Sequence, residues 1–293
     1  MAHMEHKQLG NSSVQLPEIA FGTWKYGGGV APLRAAIEQG ASFIDTAETY
    51  GNEHVVGEAI RGLRDRVFLA TKARPANFRR RDLIAAAEGS LRQLGTDHID
   101  LYQLHWPNET VPIAETMQGM SDLADSGKIR FIGVCKFSVR ALQRAQAALP
   151  NHRIVSNQLP YNLIDRTIER GMLDYCRRHA ITVLAFSPMA SGLPELRAAD
   201  PEGVLSRVAA SVAKSEAQVA LNWVVSRDGV IVLSKGSTVD RVRENCGASG
   251  WRLPPDALGL LNAGIRFRRR SAVEFALRRL ARFAFQMAGR NLS

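Results

Sequence analysis

Four side chains of this 293-residue sequence, Asp45, Tyr50, Lys72 and His105, are of the types needed to hand a proton to a reacting oxygen. A free phenol has a pKa of ~10, too high for efficient proton donation at neutral pH. An ammonium held against it favours the phenolate and lowers that value, which is the part Lys72 can play toward Tyr50. Asp45 can pair with Lys72 and keep it charged and in place. His105 can donate from a ring nitrogen to a carbonyl oxygen, orient it beside Tyr50 and stabilise the charge that develops there. Together the four suit reduction of a carbonyl, and since no side chain supplies a hydride, a cofactor must. Taken singly, each has a plainer reading: a lysine closing a strand as a solvated end, an aspartate as a helix cap, a histidine as a satisfied core group. Their joint placement decides.

That placement depends on the elements around them. Short apolar runs alternate with helical patterns along nearly the whole chain. The strand candidates are Glu18–Trp24, Ser42–Ala47, Val67–Ala73, Ile99–His105, Ile129–Cys135, Ile154–Leu159, Thr182–Pro188 and Val230–Lys235. They lack clean two-residue alternation, as expected of strands covered on both faces. Between them lie helix patterns such as Leu83–Leu94, Ile113–Ser126 and Met172–His179, with stops at Leu94-Gly95 and Ser126-Gly127. Eight strands alternating with helices predict a single (β/α)8 barrel, an open doubly wound sheet being the other solution. No Gly-x-Gly-x-x-Gly follows any strand; Gly27-Gly28-Gly29 has the wrong spacing, and no phosphate loop with Gly-Lys-Ser/Thr occurs. His6–Leu16, with Gly10-Asn11-Ser12 at its middle, predicts a small N-terminal hairpin. In a barrel, active groups gather at the carboxyl ends of the strands. Asp45, Lys72 and His105 fall there, and Tyr50 follows in the loop after Asp45.

Composition fits a globular chain, 45% hydrophobic and 23% charged, with no apolar run of the ~20 residues that span a bilayer and no evident signal peptide. Met1, Ala2 and His3 ahead of Met4 read as an expression remnant. Three scattered cysteines, Cys135, Cys176 and Cys246, point away from a disulfide framework and toward a reduced cytoplasm. Cys176 and His179 sit in a helical pattern without a second ligand pair, so no metal site is expected. The net charge of +10 is concentrated at one end: from Ile265 to Ser293 there are eight arginines and one acid, Glu274. The body is nearly balanced, which leaves little case for nucleic acid. The expected division is a barrel over 4–264 and a basic extension over 265–293.

Longer motifs connect these residues. Ser42-Phe43-Ile44-Asp45-Thr46-Ala47-Glu48-Thr49-Tyr50-Gly51-Asn52-Glu53, with Val56-Gly57-Glu58-Ala59-Ile60, resembles the principal signature of the aldo-keto reductases. The similarity continues in Leu69-Ala70-Thr71-Lys72, in Asp97-His98-Ile99-Asp100-Leu101-Tyr102-Gln103-Leu104-His105-Trp106-Pro107 and in Gly127-Lys128-Ile129-Arg130, and runs from about Lys7 to Leu261. The resemblance implies a catalytic tetrad of Asp45, Tyr50, Lys72 and His105. It also implies a nicotinamide dinucleotide held across the barrel mouth without a Rossmann motif. By the same resemblance Gly22, Thr23, Trp24, Asp45, Cys135, Lys136 and Gln158 meet the cofactor, and Phe186 stacks on the nicotinamide. Ser187, Pro188, Ser191, Gly192 and Leu193 belong to a loop that clasps the pyrophosphate. Lys235, Gly236, Ser237, Thr238, Arg241, Glu244 and Asn245 form the adenosine-phosphate segment. Two cations and two hydroxyls at a helix start suit a 2′-phosphate, which favours NADPH over NADH. Trp24 and Trp106 are expected to line an apolar pocket for a small carbonyl substrate.

One position departs from the family pattern. After the fifth barrel strand, Cys135-Lys136 stands where Ser-Asn is usual. An ammonium can donate to a carboxamide oxygen but cannot accept from its amide group. Lys136 therefore reaches an anionic substrate group, biases the site against the oxidised, positively charged cofactor, or turns outward to solvent. The extension departs as well. Over Ser271–Met287 a helical pattern puts Val273, Leu277, Leu280, Ala284 and Met287 on one face, widened by Phe275, Phe283 and Phe285, and Arg278, Arg279 and Arg282 on the other. Docking on the barrel, contact with another subunit and association with an anionic membrane all suit such a helix. Some relatives of this barrel are channel-associated subunits, so a non-catalytic, NADPH-binding regulatory protein is the alternative to an enzyme.

Overall fold

The computed structural model describes residues 3–268. A hairpin comes first: β1 (His6–Gln8) pairs antiparallel with β2 (Gln15–Pro17). Eight parallel strands follow: β3 (Ile19–Gly22), β4 (Phe43–Asp45), β5 (Phe68–Ala73), β6 (Ile99–Leu104), β7 (Ile129–Cys135), β8 (Ile154–Pro160), β9 (Thr182–Phe186) and β10 (Val230–Ser234). Neighbours in sequence are neighbours in space. The sheet closes where β10 pairs with β3, Val232 opposite Ile19 and Ser234 opposite Phe21. Helices alternate with the strands, so the chain is a (β/α)8 barrel, each predicted strand matching an observed one.

Closure splits the apolar residues into two cores. Residues pointing outward, such as Ile44, Leu69, Tyr102 and Val134, pack under the helices. Residues pointing inward, Ala20, Phe43, Phe68, Ala70, Leu101, Leu184 and Ile231, fill the barrel, with Phe43 and Phe68 meeting edge to face at 5.1 Å. The hairpin joins this inner core by burying Leu9 and Leu16, so it stoppers the barrel at the amino ends of the strands. Lys7 fixes the stopper, donating from its ammonium to the carbonyls of Val225, Arg227 (3.0 Å) and Val230 (2.8 Å).

Strand periodicity then dictates what lies at the other end. Two residues beyond the inward Phe43, Ala70 and Leu101 come Asp45, Lys72 and Gln103, so the apolar interior is roofed by a polar layer. A β-bulge at β7–β8 slips the register between Ile132 and Gly133 and turns both Val155 and Ser156 inward, which restores Gln158 to that same layer.

Helix packing holds the strands at their spacing. The helix Glu53–Ile60 lies against Arg80–Leu94, which ends on the left-handed Gly95 (φ 63°) as its Leu94-Gly95 stop predicts. The two approach so closely at Gly57 that a Cβ there would lie 2.6 Å from the Leu94 carbonyl oxygen. Gly57→Ala therefore lowers stability by about 1–3 kcal/mol despite alanine's better helix propensity. Urea unfolding measures it, and an unchanged midpoint would mean that the helices part without cost.

Candidate active site

The polar roof centres on Lys72, which is fully buried. Its ammonium has three hydrogens and three acceptors: Asp45 Oδ2 at 2.6 Å, the Thr46 carbonyl at 2.8 Å and the Tyr50 hydroxyl at 3.4 Å. Burial works against the lysine's charge, but Asp45 and the phenol outweigh it and hold the pKa above the ordinary value. The other oxygen of Asp45 accepts from Gln103 Nε2 at 2.9 Å and Gln158 Nε2 at 3.1 Å. The two amides also meet each other, Gln158 Nε2 donating to Gln103 Oε1 at 3.2 Å. Nothing in this layer is left to rotate.

Tyr50 ends a short 3-10 turn, Glu48–Tyr50, which follows β4. Glu48 ties that turn to the loop after β5: one oxygen accepts from the Arg74 backbone amide (3.0 Å), the other from Asn77 Nδ2 (2.7 Å), with the Arg74 guanidinium alongside. Asn52 closes the other side. Its Oδ1 accepts from the hydroxyls of Thr23 and Thr46, and its Nδ2 donates to the Thr23 carbonyl at 2.7 Å. The Tyr50 ring thus sits over the Lys72 ammonium (4.9 Å) and stands edge to face with His105 at 5.6 Å. Burial pushes the phenol up to about 12, although Lys72 pulls it down. The expected lowering by the ammonium is present, but desolvation outweighs it.

His105 follows β6 and is buried, its Nδ1 lying 3.3 Å from Thr49 Oγ1. Burial, then the charges of Lys72 and Lys136, push its pKa down to about 2, so the imidazole is neutral. Trp106 lies beside it, the ring centres 4.5 Å apart and the planes tilted by 54°. The structure thus brings all four predicted groups to one rim.

The predicted cofactor residues divide into two groups. At the mouth stand half-buried Phe186, exposed Trp24 and the exposed Lys235, Ser237 and Arg241. Lys136 does not turn wholly outward: its Nζ lies 5.3 Å from the Phe186 ring and 5.5 Å from Trp106. Thr238 caps the helix Val239–Cys246, accepting from the Arg241 amide, and Gly236 lets that helix approach, since a Cβ there would come within 3.0 Å of Val242. Others are buried or already have partners within the protein. Thr23 is fully buried on Asn52, and Cys135 is buried. Asn245 is buried with its amide on the Lys235 carbonyl (3.1 Å), so it shapes the loop. Arg241 pairs with Glu244 at 2.7 Å. In the loop after β9, the amides of Ala190, Ser191 and Gly192 are occupied by Ser187, Glu195 and Met189, and Pro188 has none to offer. A pyrophosphate at that loop would have to use other donors, such as the hydroxyls of Ser187 and Ser191, or displace Glu195. A dinucleotide of the expected kind fits the remaining set: an aromatic face beside the tetrad, and cations with a capped helix start at the far side.

Sequence reading assigned no role to Glu48, Thr49, Asn52 or Gln103. All lie inside the quoted motifs, and Gln103 stands two positions before His105 on the same strand face, which is the signal that marks it.

The neutral His105 carries a consequence for acid stability. A histidine whose folded pKa lies far below ~6.5 contributes stability above that pH and loses it as pH falls toward 2. His105→Gln, which cannot titrate, should flatten the decline in unfolding free energy below pH ~6 by up to about 1.4 kcal/mol per pH unit. Identical slopes in both proteins would remove the neutral imidazole.

Comparison with known proteins matches this geometry. The aldo/keto reductase family profile covers residues 18–264. The methylglyoxal reductase YeaE of Escherichia coli (strain K12) is 37% identical over 270 residues, 88% of this chain and 95% of its own. An aldo-keto reductase from Klebsiella pneumoniae in complex with NADPH superposes with a TM-score of 0.83 at 33% identity, covering 92% of this chain and 97% of that one. A thermostable aldo-keto reductase, Tm1743, in complex with the inhibitor epalrestat, gives 0.82 at 33% identity over 89% and 99%. On its barrel, its tetrad and these likenesses, the chain belongs to the aldo/keto reductase family.

Proposed function

We propose that this chain reduces an aldehyde or ketone to an alcohol with NADPH, Tyr50 supplying the proton. The observation that carries the reading is the direction of one hydrogen bond. Lys72 has only donors, so the Tyr50 oxygen must accept from it, and the phenolic hydrogen is left to point elsewhere, into the mouth. A substrate carbonyl seated between Tyr50 and His105 takes that hydrogen. In the tautomer that lets Thr49 donate to Nδ1, the neutral His105 carries its own hydrogen on Nε2 and directs it at the same oxygen. As the proton leaves Tyr50, the phenolate that remains lies against a buried ammonium already paired with Asp45. Phe186, Lys235, Ser237 and Arg241 would hold the dinucleotide, which when bound supplies the hydride. A 2′-phosphate would draw Arg241 from Glu244, exchanging a surface ion pair for a charge-assisted bond to phosphate. The non-catalytic alternative has no observation in its favour, since a protein that only bound the nucleotide would not need a satisfied Lys72 beneath a phenol.

The test is loss of NADPH absorbance with a panel of carbonyls, methylglyoxal among them because the Escherichia coli relative is a methylglyoxal reductase by name. Tyr50→Phe should cut turnover by about 10²–10⁴-fold while cofactor binding, followed by fluorescence titration, survives. Turnover at the wild-type rate would remove Tyr50 as the acid. Arg241→Ala should raise the KM for NADPH about tenfold and leave that for NADH within about threefold, a loss of one charge-assisted phosphate contact. Equal changes for both cofactors would cancel the 2′-phosphate assignment.

A further inference from the structure

One ammonium at the barrel mouth is unused by this mechanism. Lys136 follows β7 in a left-handed backbone conformation (φ 61°), with its amide donating to the Gln158 carbonyl at 2.9 Å. Asparagine enters that conformation at lower cost than lysine, so the backbone gives no reason for a lysine here. The side chain is exposed, yet its Nζ stands over two rings, 5.3 Å from the centre of Phe186 and 5.5 Å from that of Trp106. Trp106 in turn lies 4.5 Å from His105, which faces Tyr50 at 5.6 Å. The charge is therefore one indole away from the two groups that grip a carbonyl oxygen.

No acid neutralises it. Asp45 is paired with Lys72, Glu48 with Arg74 and Glu244 with Arg241; among the described residues no ion pair includes Lys136. Two aromatic faces hold the ammonium at the mouth and displace part of its water, which strengthens attraction to an incoming anion. We propose that Lys136 is the specificity residue of this site, selecting carbonyl substrates that also carry a carboxylate. The carboxylate would lie across the Trp106 face while the carbonyl sits between Tyr50 and His105. This rests on the reductase reading above and adds the substrate class to it.

Matched aldehydes test it: 4-carboxybenzaldehyde against 4-methylbenzaldehyde, and succinic semialdehyde against butanal, each with saturating NADPH. The readout is the ratio of kcat/KM for the charged over the neutral member, in which any effect on the cofactor cancels. Wild type should favour the charged member, less so as salt is raised. Lys136→Met should lower the ratio about tenfold, chiefly through KM of the charged substrate. Lys136→Asn, which suits the left-handed backbone, should lower it equally, and Lys136→Arg should keep it within about threefold. A ratio unchanged in the Met and Asn variants overturns the proposal, as does an equal loss in Arg. If wild type turns over none of the four aldehydes nor methylglyoxal, the reductase reading itself falls, an outcome distinct from turnover without charge preference.

Discussion

A lysine sealed inside a barrel is the constraint around which the upper half of this molecule is arranged. An ammonium removed from water costs several kcal/mol unless it is paired and each of its hydrogens finds an acceptor. Lys72 meets that demand with a carboxylate, a carbonyl and a phenol, each from a different point on the β4 side of the mouth. The demand propagates outward. Asp45 needs donors for its second oxygen, which Gln103 and Gln158 supply from β6 and β8. The phenol must be held over the ammonium, which Glu48 and Asn52 do by pinning both ends of its loop to neighbouring strands. Five segments are thereby fixed by one charge, and the hydrophobic interior below, with its hairpin stopper, keeps water from relieving the demand any other way.

The same burial changes how the tyrosine is made reactive. An ammonium beside a phenol lowers its pKa in water, yet here the phenol stands at about 12 because removal from solvent outweighs the attraction. What the fold provides is direction. The lysine fixes which lone pair of the phenol is occupied, and so where its hydrogen points. It also lies, already charged, beside the phenol oxygen. Preorganised charge of this kind would stabilise a phenolate without requiring an ionised tyrosine beforehand, which is what the proposed proton transfer needs. His105 follows the same logic: desolvation and two neighbouring cations hold its pKa down and keep the imidazole neutral.

The barrel and the four central groups were legible in the sequence because both are encoded locally. Eight apolar runs mark eight strands, and Asp45, Lys72 and His105 stand at strand ends where a barrel collects its chemistry. The braces were less legible. Gln103 and Glu48 act through partners 58 and 26 residues away, and no spacing rule marks such a pair before the strands are assembled. Thr23 and Asn245, expected at the cofactor, are also buried and hydrogen-bonded to Asn52 and to the Lys235 carbonyl, partners that no spacing rule marks. The segment between β9 and β10 folds into three helices, Leu193–Ala198, Val204–Ser211 and Glu216–Val225, with two of them opening on glycines. Helices of six to ten residues, two of them without a side-chain cap, leave little periodicity to read. The tail pattern over 271–287 lies outside the described residues.

Where the chain leaves the barrel bears on that tail. Arg268 donates its amide to Ile164 and accepts from the amide of Arg166, joining the loop that follows β8. Arg166 lies between Phe267 at 4.2 Å and Trp223 at 4.9 Å and donates to the Leu261 carbonyl at 3.1 Å, so the exit is locked to the helix Pro255–Gly264 as well. The same loop holds the Ser187 carbonyl through Asn162 (2.9 Å), beside Phe186. The basic extension is thus tethered at the carboxyl ends of the strands, on the face that carries Tyr50 and Lys136, and opposite the hairpin. The loop that holds this exit is one hydrogen bond away from Ser187 and the wall of the candidate cofactor site.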